Sequence, residues 1–178
     1  ATLNNLGAAH SSKQDFAAAL EFQERALELR RRTLHGEHPD IAASLSNLGG
    51  ISAALGRHAE ARERVEHALA IWERSLGPDH PALAFALIGI GEGLLAEGRA
   101  EQAVAALERA VQVRRAGEVL PQYRAIAQQW LAEALWQARP AERVRARALA
   151  EEALALCGDA PEDRAELAAW LAAHPAPG

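Results

Sequence analysis

The sequence predicts an all-α protein: an α-α superhelix of about four stacked helix pairs closed by a C-terminal capping helix. Three observations predict it. Ala contributes 43 and Leu 24 of the 178 residues, while aromatics make up 4%. Ala and Leu lose little side-chain freedom in a helix, and the β-branched residues that favour strands are few. The chain also superimposes on itself when shifted by 42 residues: Leu3, Leu45 and Leu87 align, then Leu6, Leu48 and Ile90, then Gly7, Gly49 and Gly91. Ala19, Ala61 and Ala103 follow at that spacing, as do Ala26, Ala68 and Ala110. Finally, the connectors repeat, with Leu34-His35-Gly36-Glu37-His38-Pro39 lying over Leu76-Gly77-Pro78-Asp79-His80-Pro81. A fixed period of roughly 20–50 residues marks a repeat array, whose units bury their apolar faces against one another.

The helices are expected at 1–11, 15–34, 39–55, 58–75, 81–96, 100–116, 122–138, 141–157 and 161–173. Each unit reads as two of them. The first carries a Leu-Leu-Gly ridge on one face, as in Leu45, Leu48 and Gly49. It breaks at Gly56-Arg57 and Gly98-Arg99, and at Ser12-Lys13-Gln14 in the opening unit. The second helix carries Ala at two places seven apart, and small residues there let helices approach near the short end of the ~8–10 Å range. Pro39 and Pro81 suit a first helical position, where a missing N–H costs nothing, which leaves His38 and His80 as N-caps. Beyond Tyr123 the pattern becomes irregular. Trp130 to Trp136, with Ala146, Ala150 and Ala153, reads as a fourth unit slipped in phase by about a residue, with a longer inner loop around Arg139-Pro140. Pro161 opens the capping helix, and Glu162 and Asp163 occupy its first turn, where the helix dipole favours acids. The units run approximately 1–38, 39–80, 81–121 and 122–157, with the cap at 161–173, all in one domain. Ala1-Thr2-Leu3 falls in mid-pattern, as expected for a piece of a longer protein.

Charge and composition exclude several activities. The formal net charge is −5, Lys13 is the only Lys, and no basic face stands out, so direct nucleic-acid binding is not expected. No apolar stretch approaches the roughly 20 residues that span a bilayer, so no membrane partner is expected. Cys157 cannot form an internal disulfide and suits a reducing, cytoplasmic compartment.

Candidate chemistry is sparse. Gly89-Ile90-Gly91-Glu92-Gly93 is glycine-rich, but a phosphate cradle needs its glycines between a strand and a helix, and no Lys follows. The register puts all three glycines inside a helix. His35-Gly36-Glu37-His38 places two imidazoles around a carboxylate, yet zinc needs further ligands, and the repeat gives these residues a connector role. His10, His58 and His67 read as solvent-facing. The Glu/Arg runs, Glu60 to Glu66 and Arg143 to Arg147, read as solvated helix faces. There is no nucleophile elbow and no base beside Cys157. The reading is a non-enzyme with no cofactor, no metal and no small-molecule substrate.

Leu45-Ser46-Asn47-Leu48-Gly49, Gly56-Arg57-His58-Ala59-Glu60-Ala61, Ala68-Leu69-Ala70-Ile71 and Leu76-Gly77-Pro78-Asp79-His80-Pro81 together resemble the tetratricopeptide repeat family, in the long variety found in kinesin light chains. The resemblance covers residues 1 to about 117. It implies a right-handed superhelix that binds a peptide or partner domain in a concave groove. Curvature of stacked helix pairs lines such a groove with the first helix of each unit. The candidate groove residues are Asn4, Asn5, Ser46, Asn47, Gly50, Ala53, Phe85, Glu92, Gln129 and Glu133. In the resembled family an Asn before the second Leu contacts the backbone of a bound extended peptide; Asn5 and Asn47 match that position and Gly89 departs from it. No Lys or Arg is evident for a carboxylate clamp, and Glu92 would oppose one, so a basic or neutral segment is the expected ligand. The tail is also similar to the C-terminal ends of bacterial serine/threonine protein kinases. That implies an alternative, the regulatory region of a kinase whose catalytic domain lies upstream. The effector region of a transcription regulator is a third reading.

Overall fold

The computed structural model describes residues 13–34, 36–116, 120–158 and 161–176. The expected helix 1–11 lies outside them. The described residues form α1 (Lys13–Thr33), α2 (Pro39–Ala54), α3 (His58–Leu76), α4 (Leu83–Ala96), α5 (Ala100–Ala116), α6 (Pro121–Ala138), α7 (Arg143–Leu156) and α8 (Pro161–Ala173). A 3-10 turn, Pro140–Glu142, precedes α7, and no strand occurs among the described residues. Each helix packs on the next in sequence, and α2, α4 and α6 also touch in succession, as an α-α superhelix requires.

The helix ends follow from local chemistry. At the start of α2 the His38 imidazole Nδ1 accepts a hydrogen bond from the Asp40 backbone N–H at 3.1 Å, with Pro39 in the first turn. His80 Nδ1 accepts likewise from Ala82 N–H at 3.2 Å. Even so, α4 begins at Leu83 and not at the expected residue 81, because its entry is tighter. Leu83, Ala84 and Phe85 N–H donate to the carbonyls of His80, Pro81 and Ala82, three residues back. The acid Asp40 has Ala82 as its repeat equivalent (40 + 42 = 82), so this helix start lacks the carboxylate that favours an N-terminus. At the other end of α2, Gly56 has φ +77°. Its N–H donates to Ala53 O at 2.8 Å, while Arg57 N–H donates to Ser52 O at 2.9 Å. That paired bonding needs a left-handed residue, which glycine adopts without strain. Gly98 and Arg99 end α4 in the same way.

The core is the repeated ridge. Leu45, Leu48, Gly49 and Ser52 of α2 are buried, as are Leu87, Ile90, Gly91 and Leu94 of α4. In α6 the buried residues at this spacing are Gln128, Leu131, Ala132 and Leu135, offset by 41 (128 − 87 = 41). The second helices bury Ala61, Val65 and Ala68 in α3, then Ala103, Leu107 and Ala110 in α5. In α7 they bury Ala146, Ala150 and Ala153, offset by 43 (146 − 103 = 43). The fourth unit has thus lost one residue before its first helix and gained two in its inner loop. Arg139 spans that loop, pairing with Glu101 at 2.6 Å and Glu142 at 2.9 Å.

Helix contact inside each pair depends on size matching. A β-carbon at Gly49 would lie 2.5 Å from Val65 Cγ1 and 3.1 Å from the Ala61 carbonyl oxygen. One at Gly91 would lie 2.5–2.8 Å from the Leu107 branch carbons. In the fourth unit the equivalent residues are Ala132 and Ala150: the small residue has grown and the large one has shrunk. Ion pairs link successive second helices, Glu24 to Arg64 at 2.6 Å, Glu73 to Arg109 at 2.5 Å and Glu108 to Arg145 at 2.9 Å. In each the acid comes from the earlier unit. Half-exposed pairs of this kind contribute at most about 1 kcal/mol, so they set register more than stability.

The capping helix α8 docks on the last pair through aromatic rings. Trp170 meets Trp136 edge-on at 5.7 Å, and His174 stacks on Trp170 at 4.1 Å. The Trp170 indole N–H donates to Glu133. Arg147 Nη1 donates to the terminal carbonyls of Leu171 at 3.0 Å and His174 at 2.6 Å, where a helix leaves acceptors without partners.

Candidate functional site

The first helices of neighbouring pairs do not close on one another along their whole length. Between α2 and α4 they leave a cleft of about 270 Å³. Small residues make its walls: Ala43, Gly50 and Ala53 from α2, Gly89 and Gly93 from α4. Val65 and Trp72 of α3 form the floor. Such residues leave room because their side chains stop at or before the β-carbon.

The structure brings most of the sequence-predicted groove residues together here. Ser46, Asn47, Gly50, Ala53, Phe85 and Glu92 all line this one cleft. Asn47 is exposed at its rim, with an amide that can both donate and accept. Gln129 is not part of it. It lies half-buried on α6, one unit farther along, at the repeat position of Ser46 and Ile88 (46 + 42 = 88, 88 + 41 = 129). Glu133 is likewise outside, engaged by Trp170. Asn4 and Asn5 lie outside the described residues.

Two side chains hold the apolar end in place. Trp72 donates its indole N–H to the Pro39 carbonyl at 3.2 Å, which fixes its ring at the base of the cleft. The Phe85 ring meets Tyr123 edge-on at 5.6 Å, and the Arg114 guanidinium carbon lies 4.2 Å from its centroid. Arg114 is 3% exposed, and burial pulls it down to about 10, which leaves it charged at neutral pH. A desolvated cation over an aromatic face is a favourable pairing, so Phe85 is braced from behind. Val65, Trp72 and Arg114 were not anticipated. They lie on second helices, where periodicity reads every inward residue as core. Trp72 and Arg114 share one repeat position (72 + 42 = 114) with unlike chemistry, so no recurrence marks them.

The polar end belongs to Glu92. Its carboxyl is half-buried, and burial pushes it above the ordinary carboxylate value, with His58 working partly against this. His58, expected to face solvent, is half-buried and near enough to act on Glu92, though it does not line the cleft, while His67 is exposed. His10 lies outside the described residues.

The other sequence candidates have structural employment. Gly89, Gly91 and Gly93 all fall inside α4. Glu37 accepts from both Nε and Nη2 of Arg74, which holds its carboxyl below the usual value, and His38 caps α2. His35 lies outside the described residues. Among the described residues no three His, Cys, Asp or Glu side chains gather as metal ligands, and no helix is long and apolar enough to cross a membrane.

Comparison with known proteins agrees with the architecture. Among curated protein sequences no relative matches. Two solved structures of nearly identical TPR-like repeats, of the kinesin light chain type from Podosopora anserina, are each 26% identical and cover 91% of this chain and 79% of theirs, with TM-scores of 0.71 and 0.69. BtubC (BKLC) from P. vanneervenii shares the fold, with a TM-score of 0.70 at 21% identity over 93% of this chain and 61% of its own. A family model described as tetratricopeptide repeat matches residues 1–51 and 40–116, the part of the chain where the 42-residue period is regular. The chain belongs to the tetratricopeptide repeat family, whose folds are generally protein–protein interaction modules.

Proposed function

We propose that this chain is a non-catalytic binding module that takes an extended segment of a partner protein into the cleft between α2 and α4. The supporting observation is the cleft itself: space kept between two first helices by small residues, with braced aromatic rings at its base and an exposed amide on its rim. Asn47 would hold the backbone of the segment, since an amide satisfies a peptide unit whatever its side chains. The volume suits side chains of an extended strand. The free, buried Cys157 suits a reducing compartment, and we place the protein in the cytoplasm on that ground.

Random peptides displayed on phage and selected against the chain test this reading, with affinities of the recovered peptides measured by fluorescence anisotropy. Ala53→Phe should fill the cleft and abolish binding. Asn47→Ala should weaken it several-fold without moving the thermal midpoint, because the side chain is exposed. Peptides that bind both variants as well as the parent chain would place the interaction elsewhere.

A further inference from the structure

We propose that the bound segment carries an Arg or Lys side chain that pairs with Glu92, with a bulky apolar side chain seated against Phe85 and Trp72 at the other end of the cleft. This rests on the binding reading above and names its ligand class.

Glu92 makes no hydrogen bond among the described residues, although it is half-buried. Its oxygens are not among the fully buried unpartnered atoms, so the carboxylate is partly desolvated by its walls yet open to an incoming group. Its repeat equivalent is not. Glu133 (92 + 41 = 133) accepts from the Trp170 indole and, at 2.5 Å, from the Gln137 amide. Where α8 closes the array, that carboxylate is met by an N–H donor on an apolar ring from the following helix. At Glu92 the half-buried His58 is close enough to act on the carboxylate but makes no hydrogen bond to it, so the acceptor positions are open to a ligand.

The surroundings select a cation. The cleft lining includes no Arg and no Lys. Arg62, whose stem faces Gly93, turns its guanidinium to Glu66 at 3.1 Å and Glu97 at 3.2 Å. One negative charge in an apolar-walled cleft attracts a cation and repels an acidic segment. Spacing sets the rest. Phe85 and Glu92 are seven residues apart on α4, about 10.5 Å along the axis at ~1.5 Å per residue. Extended-chain residues two apart lie on one face, about 7 Å from each other. The long stem of Arg or Lys covers the remainder along Gly50, Ala53 and Gly89, its methylenes on the apolar wall and its charge at Glu92. The expected signature is an aromatic or large aliphatic residue two positions from Arg or Lys.

Random dodecapeptides selected in parallel against the parent chain and Glu92→Gln test this directly. The parent pool should be rich in that signature, and the Glu92→Gln pool should keep the apolar residue and lose the basic one. A synthetic peptide from the parent pool should lose about tenfold in affinity for Glu92→Gln. Changing its own Arg to Gln should cost a similar factor, and the two changes together little more than either. Selection without basic preference, or affinity indifferent to Glu92→Gln, overturns the pairing; if Ala53→Phe still abolishes that binding, the cleft reading stands. Binding that survives Ala53→Phe, or no enrichment from any pool, overturns both. Thermal melts of each variant establish that it is folded.

Discussion

Gly91 and Leu107 provide the sharpest test of how the helix pairs are held together. In α4, Gly91 costs about 1 kcal/mol of helix propensity relative to Ala, so Gly91→Ala would stabilise an isolated helix by that amount. Here the new methyl would lie 2.5, 2.6 and 2.8 Å from Leu107 Cγ, Cδ2 and Cδ1. Leu107 is 0% exposed, so it can yield only by displacing its core neighbours. Overpacking of this kind costs about 1–3 kcal/mol, which offsets the propensity gain and leaves Gly91→Ala neutral to ~2 kcal/mol destabilising. Leu107→Ala alone opens a cavity and costs about 2–5 kcal/mol. In that background Gly91→Ala has no clash, recovers its ~1 kcal/mol and fills part of the void. The sign of one substitution therefore reverses with the other, a coupling of about 1–3 kcal/mol. Urea unfolding of the four proteins measures it, read from the midpoints with the slopes checked for constancy. Stabilisation by Gly91→Ala in both backgrounds would mean that Leu107 does not fill the space opposite Gly91. Ala132 and Ala150 at the equivalent places of the fourth unit are the doubly exchanged pair that the chain itself already carries.

Glu92→Gln should stabilise the unliganded protein at neutral pH. Burial raises the folded-state value, so the native state favours the protonated carboxyl, and that stability is lost as pH rises through the folded value. The difference between parent and variant should close as pH falls below about 4, the ordinary carboxylate range. Urea melts at both pH values check it, and a constant difference refutes it. Ala61→Leu should lower the thermal midpoint by overpacking the α2–α3 contact, at a cost of about 1–3 kcal/mol, because Ala61 is 6% exposed beside Gly49. Circular dichroism melting reads it, and an unchanged midpoint would put the contact elsewhere. Trp170→Ala removes the ring contacts with Trp136 and His174 and the donor to Glu133, so α8 should loosen at a cost of roughly 3 kcal/mol. Hydrogen exchange of the α8 amides should accelerate while α4 and α5 keep their protection; equal protection in α8 would refute its docking by Trp170.

The superhelix was legible because burial imposes the same demand on every unit. Leu45, Leu48 and Gly49 recur as Leu87, Ile90 and Gly91, since each ridge must meet the same kind of neighbour, and Gly56 and Gly98 recur since each first helix ends in the same left-handed turn. The start of α4 was not legible from Pro81 and His80, because a single missing carboxylate, Ala82 where α2 has Asp40, changes the entry without disturbing the period. The fourth unit escaped a single shift for a related reason. Its first helix is offset by 41 and its second by 43, so any one offset misaligns half of it, and its Ala-for-Gly and Ala-for-Leu exchanges compensate across two helices. The cleft divides in the same way. Its walls were readable from the curve of the array, but its floor was not, because Val65 and Trp72 look like ordinary core. Periodicity reports what neighbouring units require of each other. Residues that break it answer to some other demand: Trp72 and Arg114 at one repeat position, and Glu92 where α2 carries Gly50 (92 − 42 = 50). For Arg114 that demand is visible as the bracing of Phe85. For Glu92 the described residues offer only the nearby His58 and no hydrogen-bond donor, so a ligand cation meets its demand where no residue of the repeating ridge does.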